Sequence, residues 1–80
     1  MDLKTKLLNA DHDKIKNVTA LFDLAYSTAD YELGFVVRNI CVEKSQKYKK
    51  EDPALANEFR ELYKKTLLFE APADLDSHMQ

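Results

Sequence analysis

One glycine and two prolines in 80 residues constrain the fold of this chain more than any other feature. An all-β domain needs a tight turn every 8–12 residues or so, built from residues that tolerate unusual backbone angles. That material is missing, so helices joined by short links remain. An apolar fraction of 45% is ordinary for a chain that buries a core. At 80 residues the chain makes one domain, near the lower end of what folds without disulfides or metal. The expected fold is all-α: a small three-helix bundle with a short N-terminal helix and a partly ordered C-terminal tail. The bundle is expected over residues 1–71, with 72–80 a tail or the start of a further segment.

The densest apolar run, Leu33 to Val42, reads as the central helix, from about Ala29 to Lys50. Its β-branched residues favour a strand. Against that, Leu33, Val36, Val37, Ile40, Cys41 and Lys44 follow helical spacing, and polar Arg38 and Asn39 together break any alternation. Gly34 costs this helix about 1 kcal/mol against alanine but lets a neighbouring helix approach closely. Before it, Ile15, Val18, Leu21, Phe22 and Ala25 form one stripe, predicting a helix from about Asp13 to Tyr26. The carboxylates of Asp11 and Asp13 are suited to cap that helix. Ser27, with Asp30 three residues on, resembles a capping box.

Asp52-Pro53 is the sharpest boundary, with Asp as cap and Pro at the first helical position. Leu55, Phe59, Leu62, Tyr63, Thr66 and Phe69 then give a last stripe, to about Phe69 or Glu70. Leu3, Leu7 and Leu8 mark a short helix from Asp2 to Asn9, too short to persist in water unless it docks.

Leu67, Leu68 and Phe69 are consecutive, so on a helix they point around most of its circumference. A small bundle cannot bury all three, and Leu75 adds apolar surface beyond Pro72. Either the tail folds back over this end as a lid, or these four residues are the partner-binding surface, for another protein or for self-association; exposed apolar patches favour the latter. Scattered Tyr26, Tyr31, Tyr48 and Tyr63 fit the edge of a core.

Charge offers an alternative. Residues 1–37 carry net −2, 38–65 net +3 and 66–80 net −3. Arg38, Lys44, Lys47 and Lys50 form a basic helix end that would bind nucleic-acid phosphates if they shared a face. An acidic pI and the interruptions Glu43, Glu51 and Asp52 favour a solvated, dipole-complementing helix end instead.

Catalysis, metal and cofactor are not expected. The chain has no Gly-x-Ser-x-Gly, Walker or dinucleotide fingerprint. His12 and His78 sit among aspartates but match no ligand spacing. The single Cys41 lies on the apolar stripe, where a thiol packs rather than reacts, and it excludes an intramolecular disulfide. The charged N-terminus and the lack of any long apolar window make a cytoplasmic protein the expectation.

Leu67-Leu68-Phe69-Glu70-Ala71-Pro72, followed by Asp74-Leu75-Asp76, resembles the region ahead of the ATPase domain in some bacteriophage large terminase subunits. The resemblance implies a helical N-terminal module of a DNA-packaging motor whose ATPase lies beyond Gln80. That family's Walker lysine and acidic metal ligands have no counterpart here, so no functional residues carry over. The expected function is a non-catalytic helical protein–protein interaction module, phage-related or the N-terminal piece of a larger protein.

Overall fold

A computed structural model describes residues 2–69. Within them lie α1 (Leu3–Leu8), α2 (Ile15–Thr28), α3 (Tyr31–Lys47), α4 (Pro53–Thr66) and a single 3₁₀ turn, Leu67–Phe69. Every regular element among the described residues is helical, and the all-α bundle expected from the sequence is the observed architecture. α3 is the spine: it packs most extensively on α4 and then on α2, while α1 docks on α2.

Three aspartates set the helix starts. Asp2, Asp30 and Asp52 each accept a hydrogen bond from the backbone N–H three residues on: Thr5 at 2.8 Å, Leu33 at 3.1 Å and Leu55 at 3.2 Å. Each satisfies one of the donors a helix N-terminus leaves unpaired. Pro53 occupies the first turn of α4, as its fixed φ predicts.

The start of α2 differs from expectation. Its cap is Lys14, which makes no side-chain capping bond. Asp11 instead accepts from the Asp13 N–H, and Asp13 reaches across to α3. The loop is tied down by other means. Asn17 donates to the Asp11 carbonyl at 2.9 Å, and His12 Nε2 donates to the Leu7 carbonyl at 3.0 Å.

The expected capping box at Ser27 is also absent, because α2 continues through Thr28. Ser27 and Thr28 donate back to the Leu24 carbonyl. Ala29 then turns the chain with φ 54°, and the Asp30 N–H closes on the Ala25 carbonyl at 2.9 Å. That pattern normally ends on glycine. Asp30 is thus at once the last residue of this turn, the cap of α3 and the partner of Lys4, 2.8 Å away. The central helix is accordingly shorter than expected, Tyr31–Lys47 in place of Ala29 to Lys50.

The core is Val18, Leu21, Phe22 and Ala25 from α2, Leu33, Val37 and Cys41 from α3, and Ala56, Phe59 and Leu62 from α4. Leu7 and Leu8 of α1 pack against it half-buried, which supplies the docking that six residues need. Val36, expected on the buried stripe, is 38% exposed. Its neighbour Val37 takes the inward position.

The α4 stripe does not run as one α-helix to Phe69. It tightens after Thr66 into the 3₁₀ turn, which swings Phe69 back onto the bundle. The Phe69 ring sits over Gly34, where a Cβ would lie 2.7 Å from its Cγ. Gly34 therefore admits an aromatic ring rather than a helix backbone. Phe22, Tyr31 and Tyr26 surround the ring with centroids at 5.7, 6.0 and 6.5 Å. Glu70, Leu75, His78 and the tail boundary at 72 lie outside the described residues.

Candidate interaction surface

α3 carries two apolar stripes. The first, Leu33, Gly34, Val37 and Cys41, faces the core. The second, Tyr31, Phe35, Arg38 and Val42, advances by steps of four, three and four residues. Such steps keep side chains on one slowly drifting face of a helix. Tyr31 is 52% exposed, Phe35 44% and Val42 38%.

Arg38 joins this face to α4. Its guanidinium carbon lies 5.6 Å from the Phe35 ring centroid and 5.9 Å from that of Tyr63. Both distances suit cation–π attraction, and the guanidinium fills the space between two aromatic faces. One turn after Tyr63, Leu67 is 40% exposed, with Leu68 more so. The resulting face spans α3 and the C-terminal end of α4, and it is apolar and aromatic with one embedded cation.

The sequence-predicted partner residues divide. Leu67 and Leu68 are at the surface, as their crowding requires. Phe69 is not: it is 7% exposed and belongs to the core, because Gly34 leaves room for its ring. Leu75 lies outside the described residues. Tyr31, Phe35 and Val42 are the residues that sequence reasoning missed, although their spacing was a readable signal.

The basic residues of the alternative do not converge on an open face. Arg38 lies between aromatic rings. Lys44 and Lys47 both reach Asp13, at 2.8 and 3.1 Å, and the Lys44 side chain is only 15% exposed. The Lys44 hydrogen bond, seconded by Lys47, holds the Asp13 carboxyl at about 2, well below the usual carboxylate range. Asp13 in turn raises Lys47. Lys50 is exposed beyond the helix end.

Cys41 is fully buried, and burial pushes its thiol up to about 12, so it stays protonated and packs as an apolar group. Among the described residues no group of three or more His, Cys, Asp or Glu is arranged to hold a metal ion. No described helix is long and apolar enough to cross a membrane. An open, mostly apolar groove of about 420 Å³ runs between α1 and α2, lined by Leu3, Leu7, Ala20 and Leu24 with Asp23 and Ser27 at its rim. No family model, curated protein or solved structure matches the chain.

Proposed function

We propose that this chain is a helical protein–protein interaction module that binds through the α3–α4 face. The observation that carries the reading is the second stripe of α3, apolar and exposed on a helix whose other stripe already fills the core. Ordinary surface apolar residues are scattered singly, whereas contiguous apolar patches rimmed by polar groups mark binding faces. Arginine and aromatic side chains together are the composition that interface centres favour. The nucleic-acid alternative draws less support, since Lys44 and Lys47 already answer a carboxylate and Arg38 is set among rings.

The test is affinity capture with the immobilised full chain, comparing wild type with Phe35→Glu and Leu67→Glu. Both residues are exposed, so the helical circular dichroism should be retained. Partners recovered by wild type and lost from both variants support the module. Equal recovery by folded variants overturns the proposed face.

A further inference from the structure

The groove between α1 and α2 lies apart from the α3–α4 face. Leu3 and Leu7 form one wall, Ala20 and Leu24 the other, and Asp23 and Ser27 stand at the rim. It leaves Leu3 57% exposed on a helix of only six residues, which holds its shape by docking on α2. We infer that this groove is filled by the chain's own C-terminal segment, residues 70–80, which seats Leu75 and Met79 between the two helices. Leu75 and Met79 are four residues apart, the same step that separates Leu3 from Leu7 and Ala20 from Leu24. One helical turn of the segment would therefore present both side chains along both walls.

The place where the segment starts favours this occupant. Phe69, the last described residue, packs on Phe22 and Tyr26 of α2 with ring centroids at 5.7 and 6.5 Å. Those two residues alternate along α2 with Asp23, Leu24 and Ser27 of the groove, so the segment leaves the bundle level with the groove and round the same helix. From Phe69 to Leu75 the chain spans up to about 20 Å, more than the helix diameter of about 10–12 Å that it has to pass. Charge is complementary as well. The walls, α1 and α2, carry Lys4, Lys6 and Lys16 against Asp23, net +2. Residues 70–80 carry Glu70, Asp74 and Asp76 with no lysine or arginine, net −3 with His78 neutral. Lys4 already meets Asp30 at 2.8 Å, whereas Lys6 and Lys16 are exposed. A groove of six residues is small beside the roughly 800 Å² per partner of a standard interface, so a separate protein gains little here. A short tether instead supplies an effective concentration on the order of millimolar, so two apolar side chains suffice to dock.

NMR of the full chain reads this docking, through amide signals and hydrogen exchange in wild type and in a Leu75→Ser, Met79→Ser variant. The expected result is that the Leu3, Leu7, Ala20 and Leu24 signals shift while those of the α3–α4 face stay in place. The α1 amides should then exchange at least about threefold faster, because nothing covers the groove that holds this helix. Lys6→Glu with Lys16→Glu should speed α1 exchange in the wild-type background and add little to the serine variant, since both act through the same docked segment. Lys6 and Lys16 are exposed, and none of the four substitutions touches the described core. Groove signals and α1 exchange that are identical in wild type and the serine variant overturn the inference. So do shifts confined to Phe35 and Leu67, which would seat the segment on the other face. Wild-type groove signals that move to the serine-variant positions on tenfold dilution also overturn it, because the occupant would then come from a second copy.

Discussion

Replacing Gly34 by alanine puts two effects of opposite sign at one atom. Within α3, alanine is worth about 1 kcal/mol over glycine through backbone entropy alone. The new Cβ, however, would meet the Phe69 ring at 2.7 Å from Cγ, 2.8 Å from Cδ2 and 3.0 Å from Cδ1. Cγ is the root of the ring, so rotation about χ2 does not move it away. Phe22 and the two tyrosines close the other sides, so the ring must shift its neighbours or leave. Expulsion forfeits about 2–3 kcal/mol of burial, which outweighs the helical gain. Gly34→Ala should therefore destabilise by about 1–2 kcal/mol, a fall in Tm of about 5–15 °C for a domain of this size. Urea unfolding followed by circular dichroism measures it. Phe69→Ala alone should cost about 3 kcal/mol, and in that background Gly34→Ala should reverse sign and stabilise by up to about 1 kcal/mol. This reversal, read as a double-mutant cycle, isolates the ring contact from propensity. If Gly34→Ala stabilises in both backgrounds by the same amount, the packing argument is wrong.

Two further perturbations probe the loops that position α3. Ala29 holds φ 54°, strained for any residue with a Cβ, so Ala29→Gly should raise stability by up to about 1 kcal/mol in the same urea assay. An unchanged or lower urea midpoint would contradict the left-handed turn. Asp13 has a folded-state value of about 2 against an unfolded one near the ordinary carboxylate, so its contribution is complete above about pH 5. It is lost as pH falls towards 2, because protonation then breaks the pairing with Lys44 and Lys47. Asp13→Asn should flatten the acid side of a plot of urea midpoint against pH, leaving the slope due to Asp2, lowered by its capping hydrogen bond from Thr5, and Asp30, lowered by Lys4 and then by its capping bond from Leu33. Identical slopes for the two proteins would remove Asp13 from the account.

The fold was legible because local signals agreed with one another. Scarce turn residues, three apolar stripes and the Asp52-Pro53 start all point to the same helices, and α4 begins where proline chemistry puts it. Where the reading failed, the deciding contact was between residues remote in sequence. Asp13 as a helix cap is a local inference, defeated by Lys44 and Lys47 arriving from α3. Ser27 loses its capping role because Ala29 accepts a left-handed backbone, a conformation that propensity assigns to glycine. Phe69 as surface fails for a like reason: the space over Gly34 exists only once α3 and the end of α4 are packed together. On the candidate face, Leu67 and Leu68 were found by crowding, and the residues contributed by α3 were not.

Yet apolar crowding occurs on α3 as well. Three consecutive apolar residues cannot all face one side of a helix, and Phe35, Val36 and Val37 are such a triplet, just as Leu67, Leu68 and Phe69 are. The outcome is the same in both: Val37 and Phe69 turn inward, and the other four remain at least 38% exposed. The apolar density that marked Leu33 to Val42 as the spine thus exceeds what a spine can use. The core takes Leu33, Gly34, Val37 and Cys41, with Ile40 packed half-buried against it; Phe35, Val36 and Val42 are left over. Cation–π packing of Arg38 on Phe35 and Tyr63 covers part of that excess from within the molecule. Phe35 and Val42 nonetheless stay open to solvent on either side of Arg38. Among the described residues, the middle of the longest helix therefore joins Leu67 and Leu68 in presenting apolar surface that the core does not consume.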